Sequence, residues 1–246
     1  MYMREKEMPV NNISQLHRDV FIKEIFSSIA PKIDFLSSFF SFGLDQGWRS
    51  TLVSVLELQE GEKVLDVCAG TGELSLLISE KVGERGSIFA ADFSAEMLGM
   101  ASKKLNTRTS NITFSLSDAK NLAFLPNSFD AVTVAFGMRN VVDTAAALQE
   151  AYRVLKPGGR FGCLELTSPK TGWVKPLYTV YCFEVMPFIA KKVLKTDVPY
   201  NYLPRSIEAF PASEEFKNIL ETCGFTGVTI HPMTHGIATI YKARKP

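Results

Sequence analysis

The chain has 246 residues, 46% hydrophobic and 22% charged, with 27 basic side chains against 26 acidic ones and a formal net charge of +1. That composition excludes a disordered or collagen-like chain, and the near-neutral balance argues against a nucleic-acid partner, which calls for a basic excess or stripe. The cysteines, Cys68, Cys163, Cys182 and Cys223, form no C-x-x-C pair, so neither a zinc site nor a thioredoxin motif is indicated, and free thiols in a reducing cytoplasm are expected.

The first twelve residues are polar and no apolar h-region follows, so no secretory signal is expected. Residues 12–56 then read as a helical cap. Ile13, Leu16, Val20, Phe21, Ile25, Phe26 and Ile29 recur at helical spacings, and Pro31 breaks the pattern near Ala30. A second helix is expected over 34–41 with Asp34 as its N-cap. Phe42-Gly43-Leu44 turns the chain into a third helix carrying Trp48 and Arg49.

Residues 57–166 alternate between strand and helix patterns. A strand at 63–67 ends in Cys68-Ala69-Gly70-Thr71-Gly72 and is followed by a helix over 74–82. A strand at 87–91 ends at Asp92, and a helix over 94–105 starts with Ser94 as its N-cap. A strand at 112–116 ends near Asp118, and a buried strand covers 129–136. A helix over 145–155 is stopped by Lys156-Pro157-Gly158-Gly159, before a strand at 160–166. Such alternation implies parallel βαβ units in a doubly wound sheet.

From 167 to 211 the pattern is irregular, aromatic and proline-rich, which suits a substrate lid and not sheet. The run nearest to a membrane span, 173–194, is interrupted by Lys175, Glu184, Lys191 and Lys192. Its apolar residues Leu177, Tyr178, Val180, Tyr181, Phe183, Val185, Met186, Phe188 and Ile189 are read as core helices covering the site; the alternative lays them on a bilayer surface with the lysines at the headgroups. Residues 212–246 supply a helix over 214–222 ended by Gly224 and an antiparallel hairpin from 225–231 and 237–242. The whole of 1–246 is thus expected to be one domain.

The glycine turn after the first strand is the strongest motif, because glycine admits positive φ and lets a ligand approach the backbone. Dinucleotide binding and S-adenosyl-L-methionine binding both use this layout. The dinucleotide fingerprint wants a third glycine where this chain has Ser75, and Asp66 inside the strand end suits a cofactor bearing an ammonium and a sulfonium. Asp92, twenty positions after Gly72, is placed to accept both ribose hydroxyls. Asp118 and Ala119 are placed for the adenine amino group and a ring nitrogen. Asp66, Gly70, Thr71, Gly72, Asp92, Asp118 and Ala119 are therefore the candidate cofactor residues.

With these elements the chain resembles the class I (Rossmann-like) S-adenosylmethionine-dependent methyltransferases, and more narrowly the quinone-biosynthesis C-methyltransferase family. The narrower likeness rests on Ser41-Phe42-Gly43-Leu44 with Trp48-Arg49, on Ala135-Phe136-Gly137-Met138-Arg139-Asn140-Val141, on Leu155-Lys156-Pro157-Gly158-Gly159-Arg160 with Leu164-Glu165-Leu166, and on Tyr200-Asn201-Tyr202-Leu203-Pro204-Arg205-Ser206-Ile207 with Phe210-Pro211. The chain departs from the family at Ala135, where serine is usual, at Glu73, where aspartate is more frequent, and at Ile33-Asp34, which stands for Tyr-Asp.

The resemblance implies C-methylation of a prenylated quinol, demethylmenaquinol first. The alternatives are a ubiquinone-precursor benzoquinol, another small hydrophobic phenol, or a non-catalytic homologue that keeps the cofactor. It is compatible with a homodimer and with peripheral contact at the inner face of the membrane. Arg139 is the candidate stabiliser of a developing phenolate and Asn140 orients the hydroxyl or a bridging water, the alternative being a structural arginine paired with a carboxylate and an asparagine turn; Tyr200 and Tyr202 close or pack the lid. Methyl transfer from a sulfonium needs no metal, and His17, His231 and His235 are read as surface or turn residues. Ala135-Phe136-Gly137-Met138 also excludes the Asn/Asp-Pro-Pro-aromatic turn used for amino methylation of bases.

Overall fold

A computed structural model describes residues 15–105, 109–169, 173–194 and 202–246; the polar first twelve residues and Tyr200 lie outside them. Seven strands form one sheet: β1 (Lys63–Val67), β2 (Ser87–Asp92), β3 (Ile112–Leu116), β4 (Phe129–Ala135), β5 (Leu155–Leu166), β6 (Thr226–Met233) and β7 (Ala238–Arg244). Their order is β3-β2-β1-β4-β5-β7-β6. The first five strands run parallel, and β7 lies antiparallel to both β5 and β6. This is the expected doubly wound sheet with its closing hairpin. The order reverses between β1 and β4, which opens a crevice at their carboxyl ends.

The strands are buried on both faces. One apolar layer joins Leu65, Val132, Phe161 and Phe225 to α6 (Thr144–Val154) and α10 (Ser213–Thr222). The other joins Val64, Ile88 and Leu164 to α3 (Leu44–Val55) and α4 (Glu73–Val82). The helix α3 comes close to the sheet over Gly162, where a Cβ would come 2.7 Å from Leu56 Cδ1 and push the leucine methyl groups aside.

The cap holds α1 (Gln15–Ile29) and α2 (Ile33–Phe40), linked by a 3₁₀ turn (Ala30–Lys32) around Pro31. The N-cap expectation for Asp34 is corrected: α2 starts one residue earlier, with Lys32 at the cap, and Asp34 sits inside the first turn. By contrast Ser94 does cap α5 (Ala95–Leu105), accepting from the Met97 N–H at 3.3 Å.

Two further expectations change. Lys156-Pro157-Gly158-Gly159 does not precede β5 but bulges inside it. Leu155 pairs with Phe129, the register then jumps to Arg160 opposite Ala131, and Gly158 takes φ +76°. The lid is helical rather than irregular: α7 (Val174–Val180), a π-helical turn (Tyr181–Val185), α8 (Met186–Leu194) and α9 (Tyr202–Ala209). The π turn shifts the helical phase and so hides the period. The core reading of this stretch holds only in part. Cys182 and Met186 are buried; Val180, Val185 and Phe188 are exposed on the face turned away from the crevice, and Leu177 is exposed on the cavity wall itself.

Candidate active site

A cavity of about 660 Å³ occupies the crevice, walled by the carboxyl ends of β1, β2 and β4 below and by the cap and lid above. After β1, Cys68, Gly70 and Gly72 all take left-handed φ, at +55°, +56° and +80°. These three turns swing the chain from strand into α4. A Cβ on Gly70 would meet nothing within 4 Å, so its side of the loop stays open to an approaching ligand. Gly72 instead packs on α5, where a Cβ would lie 2.5 Å from Leu105 Cδ1. Of the sequence-predicted cofactor residues, Asp66, Gly70, Thr71, Asp92, Asp118 and Ala119 line the cavity; Gly72 shapes the turn behind it.

The acidic strand ends are held from within. Asp92 is 5% exposed; it accepts from the Gly70 N–H at 2.8 Å through one carboxylate oxygen and from the Ser94 N–H at 2.9 Å through the other. Burial pushes its carboxyl up. Asp66 is 1% exposed and accepts from Ser75 Oγ at 2.6 Å and Thr133 Oγ1 at 2.9 Å. Burial outweighs those two bonds and pushes it up to about 6. Ser75, which breaks the dinucleotide fingerprint, thus serves the buried aspartate. Asp118 is more open; it accepts from the Lys120 N–H at 2.9 Å, and Ala119 is buried beside it.

The facing wall comes from the segment after β4. Phe136 takes φ +59°, and Gly137 is forced because a Cβ there would lie 2.4 Å from Cys68 Cβ. A 3₁₀ turn (Met138–Asn140) then presents Arg139 and Asn140. Arg139 Nη1 donates to Glu165 Oε2 at 2.8 Å and to the Phe136 carbonyl at 2.5 Å. Glu165 is fully buried and also accepts from the Arg139 backbone N–H at 3.1 Å. Arg139 Nε is buried and has no partner among the described residues. Tyr202 OH donates to Asn140 Oδ1 at 2.8 Å, so the residues expected to act on the acceptor do meet. Tyr200 lies outside the described residues.

Sequence reasoning missed two features of this cavity. The Asp34 carboxylate accepts from Thr71 Oγ1 and pairs with Lys104 Nζ at 2.9 Å, which also holds Glu73 at 2.6 Å; the cap is thereby latched to the glycine loop. No local signal marks a contact spanning 37 positions. The second is Arg49, paired with Asp45 at 2.5 Å beneath Phe136. The spacing of four on one helix was a readable sign of that pair. His235 sits in the β6–β7 turn at the rim of the cavity, and His231 contacts Thr229 Oγ1 at 2.9 Å. Among the described residues no three His, Cys, Asp or Glu side chains gather to hold a metal.

A doubly wound sheet with a reversed terminal pair, an open glycine turn after β1 and an acidic residue closing β2 define a class I S-adenosylmethionine-dependent methyltransferase. The model of the ubiE/COQ5 methyltransferase family matches residues 14–245, and the chain belongs to that family. It is 38% identical over 226 residues to the ubiquinone/menaquinone biosynthesis C-methyltransferase UbiE of Geotalea daltonii, covering 91% of this chain and 96% of that one. It is 35% identical over 246 residues to the demethylmenaquinone methyltransferase of Bacteroides fragilis, covering 99% of each. Among solved structures, a SAM-dependent methyltransferase from Aquifex aeolicus shares the fold with a TM-score of 0.65 at 21% identity, over 89% of this chain and 98% of that one.

Proposed function

We propose that this protein C-methylates the ring of a prenylated quinol, demethylmenaquinol to menaquinol, using S-adenosyl-L-methionine. One observation carries the reading: the Tyr202–Asn140 hydrogen bond joins two separate family-specific segments on the wall of the same cavity that the glycine loop enters. The homologues' names supply the substrate class.

The cavity fits the cofactor. Its volume lies in the ordinary ligand range of about 300–1,000 Å³, and Gly70 leaves the backbone open. Asp92 uses one lone pair on each oxygen internally and keeps another on each for the ribose hydroxyls. Asp118 and Ala119 stand where adenine would be received, and Thr71, tied to Asp34, closes the loop from the cap side. When bound, the cofactor supplies an electrophilic methyl group on a sulfonium.

The remaining work belongs to the chain. The apolar wall excludes water and aligns a ring carbon with that methyl group. A quinol carbon becomes nucleophilic as the neighbouring hydroxyl loses its proton, so the developing phenolate needs stabilisation. Arg139 is fixed by Glu165 and the Phe136 carbonyl and lines the cavity as a preorganised donor. Asn140, oriented by Tyr202, positions the hydroxyl. Phe42, Leu44, Trp173 and Leu177 line the cavity and are exposed, and Phe35 and Phe39 of the cap and Val180 and Phe188 of the lid are exposed on the helices that carry that wall. We place these side chains against the bilayer surface, with the prenyl tail leaving between them.

The test is a methyl-transfer assay read by mass spectrometry. A short-chain demethylmenaquinol and a demethylated benzoquinol precursor, both kept reduced, are offered separately with the cofactor. Addition of one ring methyl to the naphthoquinol is the expected result. Transfer to the benzoquinol alone would correct the ring class. Transfer to neither, with cofactor bound, would overturn the reading.

A further inference from the structure

The cavity carries a second guanidinium that the methyl-transfer scheme leaves unused. Arg49 rises from α3 and is 9% exposed. One of its nitrogens, Nη1, meets Asp45, and its guanidinium carbon lies 4.9 Å from the centre of the Phe136 ring. That leaves donors of the planar fork without a partner among the described residues. They are not sealed in, since Arg139 Nε is the only buried side-chain polar atom without a partner among the described residues. They open instead on the cavity that Arg49 lines.

The position of Arg49 is telling. Its charge acts on the carboxylates of Asp66 and Glu73, which places it at the glycine-loop end of the crevice. The other Lys and Arg side chains on the described cavity wall are engaged elsewhere: Lys120 stands beside Asp118, and Arg139 is held by Glu165. The same end is rich in acids, with Asp34, Asp45, Asp66 and Asp92 on the wall. Asp34 and Asp45 are already paired, with Lys104 and Arg49, so an anion entering there would meet uncompensated repulsion from Asp66 and Asp92 unless it reached a cation. S-adenosyl-L-methionine carries such an anion, the α-carboxylate of its amino-acid end. A half-committed arginine, its guanidinium carbon over an aromatic ring, keeps donors suited to a carboxylate.

We propose that Arg49 binds the α-carboxylate of S-adenosyl-L-methionine and so fixes the amino-acid end of the cofactor beside the glycine loop. The inference rests on the cofactor reading above, and its test separates the two. Binding is measured by calorimetry without acceptor, for S-adenosyl-L-methionine and for its decarboxylated analogue, which keeps the ammonium, sulfonium and adenosine. The unaltered protein should prefer the carboxylated ligand by roughly thirtyfold, the worth of one charge-assisted contact. Arg49→Gln should erase that preference by weakening the carboxylated ligand alone, and Arg49→Lys should keep part of it. Affinity for the decarboxylated analogue serves as the internal check on folding. Equal loss for both ligands, no preference in the unaltered protein, or unchanged cofactor binding with a slowed reaction would each overturn the proposal. Failure of the unaltered protein to bind either ligand would instead overturn the cofactor reading itself.

Discussion

The two sides of the cavity are built by different rules. On the side of β1 and β2, Asp66 and Asp92 are almost fully buried; Asp66 is held by hydroxyls of α4 and β4, and Asp92 by backbone N–H groups of the two adjoining loops. On the side of the cap and lid, polar ties reach across long stretches of chain, such as Thr71 Oγ1 to Asp34, Tyr181 OH to the Phe40 carbonyl at 2.8 Å and Tyr202 OH to Asn140, and large apolar side chains stay exposed between them. There Phe42 is 78% exposed and Trp173 is 73% exposed. The first side is complete before any ligand arrives, which suits a cofactor of constant shape. The second is an apolar surface, which suits an acceptor with a long hydrocarbon tail.

The largest effects should come from breaking the buried Arg139–Glu165 ion pair, which joins the Met138–Asn140 turn to the sheet. Arg139→Ala leaves Glu165 uncompensated at full burial, and removing one partner of such a pair costs about 3–5 kcal/mol. Thermal unfolding should show that loss, and Arg139→Met with Glu165→Gln should recover most of it. Turnover should stay low in the recovered double variant, because the donor to the phenolate is gone, while cofactor affinity stays near that of the unaltered protein. Asp92→Ala should do the reverse and weaken cofactor binding first. Equal loss of cofactor affinity in the Arg139 double variant and in Asp92→Ala would refute the division between the two sides.

Legibility in the sequence follows the same division. The path from β1 through the glycine turn to Asp92 is local, and strand, turn and helix periods mark it directly. Asp34 looked like a helix cap because its real partner, Thr71, lies 37 positions away. Arg139 was expected to face substrate, with pairing to a carboxylate as the alternative, and the pattern did not show that Glu165, 26 positions away, is its partner. Lys156-Pro157-Gly158-Gly159 reads locally as a helix stop, and only pairing with β4 makes it a bulge. The lid helices escaped because a π turn breaks their period and one face of them has no core to cover.

A smaller effect would sharpen the picture of the cofactor side through pH. Asp66 has its carboxyl raised from 3.8 to about 6 in the fold, so the native state holds the proton over that window. The contribution of this group to stability is therefore full below about pH 4 and is lost as pH rises through 6. Cofactor binding should run the other way, since the cationic end of the ligand favours the ionised carboxylate: affinity falls as pH drops below about 6. Asp66→Asn should flatten both curves between pH 4 and 6. Calorimetric titration of the cofactor across that range, beside unfolding scans without it, measures the two signs independently; parallel curves would show that Asp66 is not the group.

The smallest change in chemistry belongs to the acceptor side. Phe35 is 58% exposed on the cap and Phe188 is 60% exposed on the lid, with Lys192 Nζ 4.8 Å above its ring. Neither ring lines the cavity. Replacing both by glutamate removes little burial and should change fold stability by less than about 1 kcal/mol. Each aromatic ring inserted into a bilayer surface is worth about 1.5–3 kcal/mol, so the double variant should lose most of its sedimentation with phospholipid vesicles. Its turnover on a short-chain, water-soluble quinol should stay within about twofold, and turnover on a long-chain quinol held in vesicles should fall with vesicle binding. If vesicle binding and long-chain turnover both survive, the exposed rings face something other than lipid, and the tail reaches the ring pocket by another route.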